Sequence, residues 1–209
     1  EPLGLGDTIA LDDAHRQVVL GVSTGDGTLH LAFDHHGSEL NYRRTIAGAL
    51  DAPASKPWTT ELFEPQRAVL DPLAGAIEKV TYPRFASAPD GNLVLGYRAF
   101  SAGSGDVRLV DYDADARAWS DDRLFISKAG TWNDPLGGTS NSRNAYLNRL
   151  EFDDQGTLHA TWTWREKAPT PYNRDIANAY SEDAGGLWRN GAHEAIADTR
   201  VGAWIDHLT

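Results

Sequence analysis

The chain has 209 residues, 41% hydrophobic and 10% aromatic, with no cysteine and no methionine. This ordinary globular composition excludes disulfides, thiol catalysis and thiolate metal sites, and no stretch approaches the ~18 apolar residues of a membrane-spanning helix. The net charge of -11 argues against a nucleic-acid partner, and any anionic ligand must be held by a local cluster of Arg and His against the overall field.

A first unit is expected over about residues 12–63. It has a strand in RQVVLGVS, a turn at Asp26-Gly27 and a returning strand in TLHLAF, where Leu29, Leu31 and Phe33 alternate with Thr28, His30 and Ala32. LNYRRT supplies a third strand and WTTELF, around Trp58, a fourth. LFEPQRAVLDPLAG fits a short helix or a long loop. The second unit, about 80–125, repeats the order as YPRFASA, DGNLVLGY, VRLVDYD and WSDDRLF. The third, about 144–192, reads YLNRLEFD, QGTLHATW, DIANAYSED and LWRNGA. The turn glycines Gly27, Gly91 and Gly156 recur at intervals of 64 and 65 residues, and Trp58, Trp119 and Trp188 follow them at 31, 28 and 32.

Four short strands per unit, repeated, predict an all-β fold: a β-propeller of four-stranded antiparallel blades in a single domain over residues 1–209. SEDAGGLW matches the Asp-box pattern S-x-D-x-G-x-x-W, a folding motif that ties a blade's third strand to its fourth. Three units do not close a ring, which takes at least about four. VGAWIDHLT, 201–209, is therefore expected to begin another blade, and a chain that starts at Glu1 without methionine is read as a processed or cut-down piece.

In each unit the first strand runs toward the turn and the second runs back. The start of one and the end of the other therefore share a rim. With the first strand innermost, that rim opens on the central channel. His15 and His36 hold these two positions in the first unit, Tyr82 and Arg98 in the second, Tyr146 and Arg165 in the third. Any one of them is an ordinary packing residue; their coincidence in three units points to a site. There is no nucleophile elbow and no phosphate loop. Asp12, Asp13 and Asp34 lie near, but the set is dominated by His, Tyr and Arg, unlike the paired carboxylates of a glycoside hydrolase. Such a set suits proton abstraction beside a carboxylate. Arg pairs with the acid and stabilises an enediolate-like intermediate, one His or Tyr takes the α-proton, and another protonates the leaving oxygen. A uronic acid within a polysaccharide is the natural substrate. Tyr acting as the base needs its pKa lowered, which a neighbouring Arg favours. Zinc on His15, His35 and His36 with Asp12, Asp13 or Asp34 is the competing use of these residues, though adjacent histidines on a strand face opposite ways. A propeller with this rim could also serve as a sialidase-like hydrolase or as a non-catalytic carbohydrate-binding domain.

LDDAHRQVVLGVSTGDGTLHLAFDHHG, VTYPRFASAPDGNLVLGYR, SGDVRLVDYD, NAYLNRLEFDDQGTLHATWTWRE and NRDIANAYSEDAGGLW together resemble the BNR-repeat propeller proteins that include ulvan lyases and rhamnose–glucuronate lyases. The resemblance runs from about residue 11 to 192 and implies a seven-bladed propeller with its site at the central channel. It implies a secreted or periplasmic lyase that cleaves an acidic polysaccharide by β-elimination, with no nucleic-acid or membrane partner and with further blades from the rest of the chain. It places the family's first histidine on His15, where Ala14 and Arg16 alter the local motif, and the second on His36 or, failing that, His35. The Tyr of TYPR falls on Tyr82 and the carboxylate-neutralising Arg on Arg98; His36 and Tyr82 are the expected base and acid, in an order that differs among family members, with His15 assisting or substituting. His35, Asn144, Tyr146 and Arg165 are expected substrate contacts. No cofactor is required. A structural calcium or zinc is left open, although the family's metal site uses cysteine, which this chain lacks.

Overall fold

The structure, a computed structural model, describes residues 4–10, 12–100, 102–133, 138–166 and 173–206. Its strands in chain order are β1 (Val18–Ser23), β2 (Thr28–Phe33), β3 (His36–Ser38), β4 (Tyr42–Arg44), β5 (Val80–Ser87), β6 (Leu93–Ala99), β7 (Val107–Asp113), β8 (Ala118–Ile126), β9 (Trp132–Asn133), β10 (Thr139–Ser140), β11 (Asn144–Phe152), β12 (Leu158–Arg165), β13 (Asn173–Ser181), β14 (Leu187–Arg189) and β15 (Ala195–Asp198). No α-helix occurs among the described residues. Three antiparallel sheets stand as neighbouring propeller blades, ordered β1-β2-β4, β3-β5-β6-β7-β8 and β11-β12-β13-β14-β15, beside a small β9-β10 ribbon.

The predicted hairpins form where the turn residues require them. Gly91 takes a φ of 96°, and its carbonyl accepts the Gly25 N–H at 3.2 Å; a Cβ on Gly91 would lie 2.5 Å from the Gly25 nitrogen. Only glycine permits that approach between the turns of two blades. The apolar positions of facing strands bury between the sheets rather than within one. One core layer joins Leu40, Tyr42 and Leu70 to Leu93, Leu95, Tyr112 and Trp119; the other joins Leu109 and Phe125 to Leu158, Trp162 and Trp188. The Asp box forms as expected. Asp183 Oδ1 accepts the Gly186 and Leu187 N–H groups at 3.1 and 2.9 Å, and fully buried Trp188 stacks on Phe125 at 4.3 Å.

Four expectations are corrected. The first sheet has three strands, not four: Trp58 is 37% exposed ahead of a 3-10 turn at Thr60–Leu62, and only isolated bridges from Thr45 to Phe63 and from Tyr42 to Arg67 mark the fourth position. The ambiguous segment that follows is a loop. His36 does not end the first blade's second strand. That strand stops at Phe33, Asp34 turns the chain with a φ of 62°, and His36–Ser38 crosses to pair with β5 of the next blade. β5 is therefore not the innermost strand of its sheet. Finally, Ile205 does not open a new blade: it bridges to Ile126 at the outer edge of the second sheet. Residues 207–209 lie outside the described residues.

Between the first two blades, His30 is fully buried among Tyr42, Phe85, Tyr112 and Trp119. Trp119 Nε1–H donates to the Tyr42 hydroxyl at 3.1 Å, and that hydroxyl lies 2.7 Å from His30 Nδ1. His30 Nε2 lies 2.8 Å from Thr28 Oγ1, whose own proton goes to Asp26 Oδ1 at 2.7 Å. Every proton has one acceptor only if His30 is neutral with its proton on Nε2. Burial, partly opposed by Asp26, pulls its pKa down to about 3. His35 is likewise pulled down to about 4 by burial. Each then contributes stability that is complete above the unfolded histidine value and is lost as pH falls toward the folded one. Denaturant midpoints should drop between pH 6.5 and 5, with a slope of up to about 1.4 kcal/mol per pH unit for each proton. A flat profile across that window contradicts the assignment.

Candidate active site

The strand that leaves the first blade builds the site. His36 pairs with Thr81, and Thr81 pairs with Arg98, so the three lie side by side on β3, β5 and β6. Thr81 Oγ1 accepts the Gly37 N–H at 2.8 Å and fixes the crossing. β5 then bulges between Thr81 and Arg84, and Tyr82 takes a left-handed φ of 52°. A bulge re-aims a side chain, here to the rim. Such backbone is costly for a tyrosine and is typical of functional positions.

Around this row the six rim residues make one continuous cluster from three blades. The His15 and His36 rings stack at 4.2 Å with 20° between planes, and His15 lies 5.9 Å from the Tyr82 ring. The Arg98 guanidinium sits 5.0 Å from the centre of the Tyr82 ring and 5.2 Å from that of Tyr146, and the two rings are 5.7 Å apart. Arg165 sits 4.9 Å from the Tyr146 ring and donates to its hydroxyl through Nη1.

Electrostatics separates these groups. Arg98 is 4% exposed, yet its Nε and Nη1 have no hydrogen-bond partner, and neither does Arg165 Nε. Neither guanidinium pairs with a carboxylate among the described residues, whereas Arg44 and Arg123 hold Glu64 and Asp111 at 3.1 and 2.8 Å. Buried, unpaired donors in a chain of charge -11 are chemically suited to an acid group. Burial, reinforced by Tyr146, raises the Tyr82 phenol above its usual range, and Arg98 and Arg165 do not reverse this. The expectation that arginine would lower it toward neutrality is therefore not met. Tyr82 keeps its proton at neutral pH, which suits an acid rather than a base.

Asp13 is the residue whose importance the sequence pattern does not reveal. Its Oδ1 lies 2.5 Å from His15 Nδ1 and its Oδ2 2.5 Å from His36 Nδ1, and Oδ1 also accepts the His15 backbone N–H at 3.0 Å. These bonds, the His15 backbone bond foremost, hold its carboxyl well below the usual carboxylate range. An ionised carboxylate only accepts, so both imidazoles carry a proton on Nδ1, and in the neutral tautomer that this sets, Nε2 is the accepting atom. Arg16 links Asp13 to Asp34 at 3.5 and 3.1 Å, tying the pair to the strand crossing. Asp13, His15 and His36 also offer three ligand atoms within 4.8 Å, a set that could hold a metal ion. An imidazole lone pair lies in its ring plane, and two nearly parallel stacked planes do not converge on one ion. A metal here requires one ring to rotate.

Two expected contacts are placed differently. His35 is 1% exposed and its Nε2 accepts the Asn41 N–H at 2.9 Å, on the inner side of the crossing. Asn144 is fully buried, with its Oδ1 accepting the Gly103 N–H. Both side chains are buried, with His35 Nδ1 and Asn144 Nδ2 left without a partner; Tyr146 and Arg165 belong to the rim cluster.

Comparison with known proteins follows the same lines. The profile of the BNR repeat-containing family matches residues 4–207, essentially the whole described chain. The chain belongs to this family. Among curated proteins, this BNR-repeat chain is 25% identical to the long isoform of an ulvan lyase from Alteromonas sp. (strain LOR) and 26% identical to one from Pseudoalteromonas sp. (strain PLSV); each match covers 88% of this chain and 21% of the relative. Among solved structures, the polysaccharide lyase Uly1 matches with a TM-score of 0.65 at 20% identity, over 92% of this chain and 46% of that one. An ulvan lyase bound to -[GlcA(1-4)Rha3S]- matches with a TM-score of 0.64 at 12% identity, over 99% of this chain and 46% of that one. The chain thus spans about a fifth of its curated relatives and just under half of these solved propellers.

Proposed function

We propose that this chain carries the catalytic rim of a secreted or periplasmic polysaccharide lyase that cleaves an ulvan-like, uronate-containing polysaccharide by β-elimination. The observation that carries the reading is the buried Arg98 guanidinium, with Nε and Nη1 unpartnered, stacked on Tyr82 and Tyr146, while Tyr82 in turn lies against the carboxylate-bound His15–His36 pair. The curated relatives are ulvan lyases, and a solved neighbour holds a saccharide that includes GlcA, which supports the substrate class.

In this reading the substrate carboxylate enters the Arg98 donors, with Arg165 beside it. Neutralising that acid makes the adjacent C5 proton removable. His36 takes the proton on Nε2. The electron pair passes into the carboxylate as an enediolate and returns to form the C4–C5 double bond as the C4–O bond breaks. Tyr82 gives its proton to the leaving oxygen. The imidazolium then loses its proton to solvent and the phenolate, beside Arg98, regains one from solvent, which restores both groups. The products are an unsaturated uronate end and a free hydroxyl, with no water consumed.

Asp13 positions the base. Asp13→Asn should keep a side chain of the same size but remove the anion that holds both imidazoles through Nδ1. We expect kcat to fall roughly a hundredfold, with KM little changed. An unaltered kcat contradicts this role. The reading as a whole is tested by incubating the protein with ulvan and with glucuronate-capped arabinogalactan and following the ultraviolet absorbance of unsaturated uronate. Its appearance supports elimination; new reducing ends without it mean hydrolysis, and tight binding without either means a binding propeller.

A further inference from the structure

We propose that Phe100, Lys79 and Lys128 form a second saccharide subsite that binds an anionic sugar unit next to the one held by Arg98; this rests on the acidic-polysaccharide reading above. Lys79 immediately precedes β5 and Phe100 immediately follows β6. Val80 pairs with Ala99, so the two residues face each other at the rim that carries Tyr82 and Arg98. Lys128 reaches the same rim from beyond β8. Val107 pairs with both Arg98 and Ile126, and the Lys128 N–H donates to Asp106 Oδ1 at 2.7 Å.

The two ammonium groups stand 5.6 and 4.6 Å from the centre of the Phe100 ring. That ring is 47% exposed. A lone exposed apolar residue needs no explanation, but this one is held at a φ of 67°, opposite Lys79 at a φ of 56°. Left-handed backbone is a genuine outlier for a bulky aromatic residue, and strain of that kind persists at ligand clamps. The chain has only four lysines, and two of them flank this ring. Neither forms an ion pair among the described residues; the neighbouring acids are Glu78, exposed beside Lys79, Asp106, whose Oδ1 is engaged by the Lys128 backbone, and Asp122, which shares a cavity with Phe100 and is held by Arg108 at 2.8 Å.

An exposed ring with two cations beside it suits a sugar whose apolar face stacks on the ring while its acidic group draws the ammoniums to itself. Phe100 is two residues from Arg98, at most about 7 Å along the chain. That is the scale of one saccharide unit, so the next sugar of the same strand reaches it. The anionic group is a carboxylate or a sulfate ester.

The test is affinity electrophoresis through gels containing ulvan, chemically desulfated ulvan or carboxyl-reduced ulvan. It compares the wild type with Lys79→Ala/Lys128→Ala and with Phe100→Gly. The double variant should bind ulvan roughly tenfold more weakly and show a shallower salt dependence. Phe100→Gly relaxes the left-handed backbone, so its Tm should hold or rise while binding still weakens. If sulfate is the ligand, the wild type loses the same affinity on desulfated ulvan and the lysine variants lose nothing further there; if carboxylate, the lysine variants still lose affinity on desulfated ulvan but bind carboxyl-reduced ulvan as the wild type does. Unchanged affinity of the lysine variants on ulvan overturns the subsite. Retardation in the gel reports binding whether or not the polysaccharide is cleaved, so a failure to find elimination counts against the lyase reading and leaves this result standing.

Discussion

Arg98→Ala is expected to reduce kcat/KM on uronate polysaccharides by about a thousandfold or more, the scale of losing the main oxyanion-type donor, while the protein stays folded. Burying a guanidinium without a partner is unfavourable, and Arg98 has two unpartnered nitrogens at 4% exposure. Its stacking against Tyr82 and Tyr146 offsets part of that cost. Truncation strands no carboxylate, because none is paired with it among the described residues, so Tm should change little. This separates Arg98 from Arg123, which holds Asp111 at 2.8 Å and Thr199 Oγ1 at 3.0 Å and whose removal should unfold the joint between blades two and three. Arg98→Lys restores charge but not the fork that a carboxylate prefers, and should recover only part of the rate. Full activity in Arg98→Ala refutes its role.

Tyr82→Phe is expected to cost between about a hundred- and ten-thousandfold in kcat, the range of general acid catalysis, with KM nearly unchanged. Phenylalanine keeps the ring that Arg98 and His15 pack against, and it removes only the proton. Because burial raises the phenol's pKa, Tyr82 is in its acid form through neutral pH. The wild-type rate should therefore hold toward alkaline pH and fall only as the phenol ionises, above its usual range. A substrate with a leaving group that needs no proton should recover most of the rate in Tyr82→Phe. If that rescue fails while folding is intact, Tyr82 is not the acid.

The strands and the rim were legible in the sequence because antiparallel hairpins are fixed at both ends. Once the turn glycines Gly27, Gly91 and Gly156 are recognised, the start of one strand and the end of the next must meet, as they do where Thr81 pairs with Arg98 and Asn144 with Arg165. What was not legible depends on contacts between blades. His36-Gly37-Ser38 is too short for any hydrophobic period, and only the neighbouring β5 edge makes it a strand. The aim of Tyr82 comes from a bulge that no residue type announces. Trp58 kept the spacing of a blade plug, but the segment after it makes isolated bridges instead of a ladder, so it stays 37% exposed while Trp119 and Trp188 are buried. Asp13 looked like one acid among several. Its importance lies in reaching two imidazoles 21 residues apart in sequence, His15 and His36, and that proximity exists only after the chain has crossed to the next blade.

The claim on which the rest depends is that this rim removes a proton rather than adding water. Digesting a uronate polysaccharide in heavy-oxygen water and examining the new chain ends by mass spectrometry decides it. Elimination gives unsaturated uronate ends and reducing ends that carry no more label than spontaneous exchange in an enzyme-free control. Saturated ends with the heavy oxygen incorporated at the moment of cleavage contradict the account.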